Sequence, residues 1–220
     1  MTSAKLAPYK GLVISIKAKS RSKGRSAASA LPDSFNRREA AVLAGVPLRS
    51  VDKAIEEKVV SPRRSTRRGT LLDRGDVLAI ALIARAGLPL RPQTKRRINE
   101  WVHGLPSEES FEETKELLLS DVLVLRADAE FGQLAGRVHQ YLEGRERHIE
   151  SNPEIQEGQP VISGTRLTVQ AVAERLNRGD SIASLSEDYP GVPPEAFEAA
   201  RIYAKSHPPR GRPARPWRDA

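Results

Sequence analysis

The pattern of hydrophobic and polar positions divides this chain into helical segments joined by short turns. In the stretch NRREAAVLAGVPLRSVDKAIEEKVV, apolar residues recur three and four positions apart, as on one face of a helix. Asn36 can cap a first helix, and Glu39 can close a capping box with it. Gly45 can end that helix in the left-handed conformation, and Pro47 suits the first turn of the next one. The pattern therefore predicts a helix-turn-helix. Its second helix would bury Val51, Ala54 and Ile55.

A basic hairpin and a third helix are predicted to follow. Two apolar pairs, Val59–Val60 and Leu71–Leu72, flank an arginine-rich loop. A helix from about Asp73 would bury Val77, Ile80, Ala81 and Ala84. Residues 34 to 86 together resemble the MerR-type winged helix, which implies DNA binding by the second helix and the wing. The predicted DNA-binding residues are Arg37, Arg38, Arg49, Ser50, Lys53, Arg63, Arg64, Arg67 and Arg68.

The middle of the chain carries weaker signals. SEESFEETKELLL reads as an acidic helix, residues 122–125 as a buried strand, and the segment from Phe131 to Leu142 as a helix. The histidines at 103, 139 and 148 do not form a metal-binding spacing with carboxylates, so we interpret them as ordinary packed or surface residues. No metal site and no cofactor are predicted.

The segment from Asn152 to Ser206 predicts a small helical bundle. PEIQEGQPVI reads as a hairpin that turns at Gly158, and Gly164 permits a left-handed turn before Thr168 caps a helix. Ser181 caps a second helix, and a third runs through PPEAFEAARIYAKS. The predicted core is Val169, Val172, Leu176, Ile182, Leu185, Tyr189, Phe197, Ala200 and Tyr203.

This segment resembles a domain of unknown function found in VapB-like antitoxins, through G-x-P-V-I-x-G-T-R, D-Y-P and the closing A-A-x-x-Y-A. The resemblance implies a PIN-domain ribonuclease toxin as partner and repression of the chain's own operon. It also implies scaffold roles for the turn residues, with Arg166 pairing with Glu187 or Asp188. The turn residues are Gly158, Pro160, Gly164, Thr165 and Arg166.

The last residues, HPPRGRPARPWRDA, predict an extended, arginine-rich tail, since their prolines prevent a helix. An arginine fork can bind the carboxylates that hold catalytic Mg²⁺ in a PIN nuclease. We expect Arg212 or Arg215 to enter that pocket. The predicted toxin-binding residues are Arg210, Arg212, Arg215, Trp217 and Arg218. A solvated tail is the alternative.

Composition favours a nucleic-acid partner. Lys and Arg number 36 against 28 Asp and Glu, for a formal net charge of +8 over 220 residues. The absence of Cys excludes disulfides and thiolate metal sites. With neither a membrane span nor a secretory leader in the pattern, we expect a cytoplasmic protein. Clustered carboxylates, cysteines and paired histidines are lacking, so we do not expect an enzyme.

These observations lead to one fold and two functional hypotheses. The fold is predicted to be mainly α, with an N-terminal winged helix-turn-helix domain and a small C-terminal helical domain that has a short β-hairpin and an extended tail. The expected segments are a basic arm (1–33), the winged helix (34–104), a connector (105–151), the antitoxin domain (152–206) and the tail (207–220). We expect a dimeric antitoxin that represses its own operon. The alternative is a free-standing MerR-like regulator whose C-terminal domain senses a ligand or dimerises.

Overall fold

Helices dominate the part of the chain that the structure, a computed structural model, describes, namely residues 34–65, 69–105 and 114–208. The helices are α1 (Arg37–Ala44), α2 (Leu48–Glu56), α3 (Arg74–Arg85), α4 (Pro92–His103), α5 (Ala129–His148), α6 (Val169–Asn177), α7 (Ile182–Asp188) and α8 (Pro194–Ser206). The strands are β1 (Ser34–Asn36), β2 (Arg63–Ser65), β3 (Gly69–Asp73), β4 (Lys115–Ser120), β5 (Leu123–Ala127), β6 (Ile149–Glu150) and β7 (Val161–Ile162). A mainly helical fold with small antiparallel β-hairpins is confirmed. The predicted arm (1–33), the wing tip and the tail beyond Pro208 lie outside the described residues.

Side chains at the helix starts explain where several helices begin. Asn36 accepts hydrogen bonds from the backbone N–H groups of Arg38 and Glu39, and Glu39 bonds back to the Asn36 N–H, which confirms the predicted capping box. Thr168 and Ser181 cap α6 and α7 as predicted. Each cap satisfies an N–H group that the first turn of a helix leaves without a partner.

The first sheet confirms the predicted hairpin. Strands β1, β3 and β2 lie in that order and are antiparallel, with Phe35 opposite Leu72 and Arg63 opposite Leu71. Leu71 and Leu72 are buried in β3. Val59 and Val60 are buried as well, but they follow α2 and precede β2 instead of pairing within the sheet.

Two hydrophobic cores share partners on α8 and β6. The first core is built by Phe35, Val51, Val77, Ile98, Val138 and others, and Ala199 of α8 belongs to it. The second contains Ile162, Val172, Leu185, Val192, Phe197 and others. Ile149 and Tyr203 pack against both. Side chains of α8 thus contribute to both cores.

The structure corrects three local predictions. Residues 115–120 form a β-strand paired with β5 instead of a helix, and Val122 lies in the turn with 95% exposure instead of in a buried strand. Ala84 is exposed, and α3 buries Leu78 and Leu82 instead. These errors share a cause: whether a short apolar run forms a helix or a strand, and which of its sides is buried, depend on neighbours in space that the run itself does not specify.

The hairpin predicted within residues 153–162 is also wrong in its first strand. Val161–Ile162 does form a strand, but it pairs with Ile149–Glu150 at the end of α5. Between them, Gln156–Gly158 forms a 3-10 turn. Gln156, Glu157 and Gly158 all have positive φ, a conformation that is unfavourable for the first two residues.

A membrane-crossing helix is absent from the described ranges, because none of their helices combines the necessary length with an apolar sequence.

Candidate nucleic-acid interface

The turn between α1 and α2 follows the predicted chemistry. Gly45 adopts φ 67° and ψ 31°, the left-handed conformation that ends α1, and the Val46 N–H then donates to the Ala41 carbonyl at 3.0 Å. Pro47 lies one residue before α2, in extended conformation. The tight connection fixes the direction of α2 relative to α1.

Ion pairs brace α2 in its middle and directly after its C-terminal end. Arg37 Nη1 of α1 lies 2.6 Å from Asp52 Oδ1. Glu57, directly after α2, is 2.6 Å from Lys95 Nζ of α4 and 3.7 Å from Lys53 Nζ. The hydrogen bond from Lys95 lowers the pKa of Glu57. Arg37 therefore positions α2, whereas the sequence had suggested it only as a DNA contact.

The remaining described cations of the predicted interface face solvent. Arg38, Arg49, Lys53 and Arg63 are exposed. Arg49 and Lys53 are four residues apart and so lie on one face of α2. Ser50 is half-buried, and its N–H donates to the Pro47 carbonyl at 2.9 Å within the first turn.

The predicted wing is described only in part. Arg64 lies in β2, while Arg67 and Arg68 fall outside the described residues. Arg63 pairs opposite Leu71, so an exposed guanidinium sits next to a strand that is anchored in the first core. An exposed cation on an anchored hairpin beside a braced helix can contact phosphates along a duplex groove.

A buried ion pair ties α1 to α5, and the sequence reading missed it. Glu39 Oε1 accepts hydrogen bonds from Arg145 Nη1 at 2.8 Å and from the Tyr141 hydroxyl at 2.7 Å. The Arg145 guanidinium also donates to the Ser34 carbonyl at 3.0 Å and lies over the Phe35 ring, 5.8 Å from its centroid. Burial and the Glu39 charge raise the pKa of Tyr141. The network holds α1 in place beneath the interface.

A second network joins the start of α3 to the end of α4. Asp73 and Asp76 form a capping box, and His103 Nε2 lies 3.1 Å from Asp73 Oδ1. Burial is the main cause that raises the pKa of Asp76, to about 6, and hydrogen bonding to the Asn99 carbonyl and to Asp73 raises that of His103. A Cβ on Gly75 would lie 2.5 Å from the imidazole, so glycine lets His103 approach.

Among the described residues, Asp73, Asp76 and His103 come nearest to the arrangement of a metal site. Their candidate ligand atoms lie within 4.8 Å of one another. The two carboxylates already hydrogen-bond to the backbone at the start of α3, and that of Asp73 also binds the His103 imidazole. The sequence predicts His103 only as an ordinary packed or surface histidine, because its partner Asp73 is 30 residues away in sequence.

The turn residues near the C-terminal end hold a loop together. The Gly164 N–H donates to Glu150 Oε1 at 3.1 Å, and Gly164 has φ +76°. Thr165 Oγ1 donates to the Ile162 carbonyl at 2.8 Å, and the Pro160 carbonyl accepts from the Val169 N–H at 2.9 Å. Gly158 adopts φ +80° in the preceding turn.

The prediction that Arg166 pairs with Glu187 or Asp188 is wrong. Within the described residues Arg166 is exposed and forms no ion pair, whereas Asp188 is 2.6 Å from Arg175, which also binds Asp180 at 2.6 Å. Arg175 lies on α6 and reaches both carboxylates near α7. The motif arginine, Arg166, instead lies just after the turn at Gly164 and Thr165 and is exposed.

The described chain ends against α1. The His207 ring stacks on Tyr203 at 4.0 Å between centroids, and its Nε2 lies 2.9 Å from Asn36 Nδ2. Because the Asn36 Oδ1 accepts two backbone N–H groups, its amide nitrogen faces the imidazole. All five predicted toxin-binding residues (Arg210, Arg212, Arg215, Trp217 and Arg218) come after this anchor and lie outside the described residues.

The C-terminal segment matches a known protein family. Residues 149–204 match the family model described as "Protein of unknown function (DUF433)". The expected resemblance of this segment to a domain of unknown function is thereby confirmed. The family description names no activity, and the antitoxin and MerR-like assignments stay predictions.

Two further proteins show partial similarity. The uncharacterized protein y4eO of Sinorhizobium fredii (strain NBRC 101917 / NGR234) is 39% identical over 64 residues, which is 29% of this chain and 29% of that protein. The match thus spans less than a third of that relative's length. The crystal structure of Rv2018 from Mycobacterium tuberculosis aligns with 78% of this chain and 97% of its own, at 15% identity and a TM-score of 0.32. That score is too low to establish a shared fold.

Proposed function

We propose that this chain is the antitoxin of a type II toxin–antitoxin pair. It binds operator DNA through a winged helix-turn-helix formed by α1, α2 and the β2–β3 hairpin, and it inhibits a PIN-domain ribonuclease through its C-terminal tail. The observation that carries the DNA-binding half is the pair of exposed cations Arg49 and Lys53 on one face of α2, a helix braced by Arg37–Asp52 and Lys95–Glu57.

Charge distribution supports DNA binding by the N-terminal part. Residues 34–105 contain 15 Lys and Arg against 7 Asp and Glu, whereas residues 149–208 contain 5 against 9. A polyanion is therefore attracted to the first segment and repelled by the second. The helices α6 and α7 also form a helix-turn-helix-like pair, but their acidic surroundings favour the N-terminal pair as the one that binds DNA.

The toxin-binding half rests on the chemistry of the tail. After the His207 anchor, the sequence PPRGRPARPWRDA offers four arginines and one tryptophan within a proline-rich stretch. A PIN nuclease holds its metal ions with clustered carboxylates, and a guanidinium fork can bind two carboxylate oxygens at once. Trp217 supplies a large apolar anchor of the type that dominates protein interfaces.

A second function has one observation in its favour. A cleft of about 320 Å³ lies between the loop before α6 and the end of α8. Its lining residues are Gln159, Pro160, Val169, Gln170, Tyr203, Ala204 and His207. A free-standing regulator could bind a small effector there, and in that case the tail would have no part in inhibiting a nuclease.

Truncation of the tail tests whether nuclease inhibition can be removed while DNA binding is kept. A chain that ends at Pro208 keeps the His207–Asn36 contact, so the fold and DNA binding should be unchanged. It should no longer inhibit RNA cleavage by the cognate PIN nuclease. Arg212→Ala and Arg215→Ala, each in the full chain, then identify the arginine that enters the nuclease, with Arg178→Ala directly after α6 as an exposed control. Full inhibition by the truncated chain would contradict the tail mechanism, whereas unreduced RNA cleavage in the presence of the full chain would favour the regulator.

A further inference from the structure

An exposed apolar surface is concentrated on the β4–β5 hairpin. Four large hydrophobic side chains of the described residues are exposed, and three of them lie on this hairpin: Leu118 at 58%, Val122 at 95% and Val124 at 42%. The fourth, Leu88, lies between α3 and α4. Clustering of exposed apolar side chains on one small element indicates an interaction surface.

The strand register explains which side chains share the outer face. Leu118 is paired with Val124, and Glu116 with Arg126, and all four are exposed. Leu117 is paired with Leu125 on the other face, which packs against the first core. The outer face therefore runs from Val122 at the turn, through an apolar pair, to an ion pair with 2.8 Å between Arg126 Nε and Glu116 Oε1. We call this set of five residues the hairpin patch.

The sheet lacks further strands among the described residues. β4 pairs only with β5, and a two-stranded hairpin is marginal without packing on its faces. One face is covered by the first core. The other carries apolar residues where polar ones are expected on a solvated face of an antiparallel sheet.

We infer that the hairpin patch is a dimer interface and that its occupant is the same patch of a second copy of the chain. The charges support this occupant. If two hairpins stack face to face about a twofold axis parallel to their strands, each β4 lies over the partner's β5. Glu116 then meets the partner's Arg126, and Leu118 meets the partner's Val124. The patch is complementary to itself in both charge and polarity, as an isologous interface requires.

The choice of a second copy also rests on the proposed function, because one helix-turn-helix reads half of a palindromic operator and a twofold dimer reads both halves. Self-association is nevertheless measured without DNA or toxin. Its failure would therefore leave operator binding and nuclease inhibition to be judged by their own assays.

Sedimentation of the full chain tests the interface. Wild type should be a dimer at micromolar concentration. Leu118→Lys places a charge at the centre of the patch and should raise the dimer dissociation constant roughly 30-fold or more, as expected for a central interface residue. Leu88→Lys is the matched control, since it replaces an exposed leucine outside the patch and should stay dimeric. Thermal unfolding of each variant verifies that it is folded.

Charge reversal gives a sharper test. Glu116→Arg and Arg126→Glu, prepared separately, each bring like charges together across the twofold axis and should be largely monomeric. When the two variants are mixed, every cross-interface contact joins opposite charges, so a heterodimer should form. Loss of an intrachain ion pair alone does not produce this rescue. A monomeric wild type, an unshifted Leu118→Lys dimer, or a mixture that stays monomeric would overturn the inference.

Discussion

At the scale of single residues, Glu39 performs two tasks at once. Its Oε2 accepts the Asn36 N–H at 2.8 Å and closes the capping box of α1, while its Oε1 binds Arg145 and Tyr141. The first task depends on residues three positions apart and is visible in the sequence. The second depends on a partner 106 residues away. One carboxylate thus couples a local helix start to the packing of α5.

Replacing Glu39 by glutamine should destabilise the protein by about 3 kcal/mol, because the substitution leaves the buried Arg145 charge without its counter-ion. The Glu39 and Arg145 side chains are only 4% and 15% exposed, so solvent does not compensate. Urea unfolding measures the change. Glu143→Gln on α5, which removes an exposed i,i+4 partner of Arg147, is the control and should stay within about 0.5 kcal/mol of wild type. Equal effects of the two substitutions would contradict this role.

The Asp76–His103 network makes stability depend on pH. The folded-state pKa of Asp76, about 6, lies above its ordinary value of 3.8, so the folded chain holds this proton to higher pH than the unfolded chain. The stability that protonated Asp76 adds to the folded chain is present below about pH 4 and is lost as pH rises towards 6. The raised pKa of His103 acts in the same direction. The stability contributed by protonated His103 is lost as pH rises above 6.5, the ordinary pKa of histidine.

Thermal unfolding from pH 4.5 to 8 should therefore show falling stability, with Asp76 accounting for about 2 kcal/mol within this window. The lowered pKa values of Glu57 and Asp128 act mainly below pH 4.5 and do not reverse the trend in this window. In Asp76→Asn the slope below pH 6 should flatten. An identical slope in the variant would assign the dependence to other groups.

At the scale of elements, helix starts are the most predictable features and strand pairing the least. Thr168, Ser181 and Asn36 cap helices because a side-chain oxygen reaches an N–H group two or three residues onward. Such contacts are local and are therefore encoded in adjacent letters. By contrast, residues 115–120 follow an acidic run and contain three consecutive leucines, which suits a helix or a strand equally. Pairing with residues 123–127 decides for the strand.

The element most relevant to the proposed function is α2. Replacing both Arg49 and Lys53 by alanine should weaken operator binding and reduce the slope of log affinity against log salt by about 2, one for each lost phosphate contact. The wing arginines Arg63, Arg64, Arg67 and Arg68 should behave likewise when replaced. Fluorescence anisotropy with operator DNA at several salt concentrations measures both effects.

The matched control removes the same charge elsewhere. Arg166→Ala with Arg178→Ala eliminates two exposed cations from the acidic C-terminal segment and should leave the salt slope unchanged. If both double variants lose affinity equally, the effect reflects net charge, and α2 has no special role in DNA binding.

At the scale of the whole molecule, α8 joins the segment matched by the family model to the rest of the described chain. Ala199 packs in the first core, Phe197 in the second, and Tyr203 against both. His207 adds its contact with Asn36 beyond the end of the helix. The described residues, 34–65, 69–105 and 114–208, accordingly group as one compact unit.

We therefore expect residues 34–208 to unfold in one cooperative transition. Trp101 packs against the first core and reports on its surroundings, while far-UV circular dichroism reports on all helices. Replacing Trp217 by phenylalanine leaves Trp101 as the single tryptophan of the chain. In this variant, urea unfolding curves from fluorescence and circular dichroism should coincide. Separate midpoints would indicate that the two cores unfold independently.

The sequence by itself determined the helix caps, the glycine turn after α1, the basic β2–β3 hairpin and the helices of the C-terminal bundle. All of these depend on interactions between residues close in the chain or on a regular apolar period. Only the tertiary structure decided that Glu39 meets Arg145, that Asp73 meets His103, that Asp188 pairs with Arg175 instead of Arg166, and that β7 pairs with the end of α5. Those contacts join residues whose separation in sequence carries no signal, and packing around the shared cores selects them.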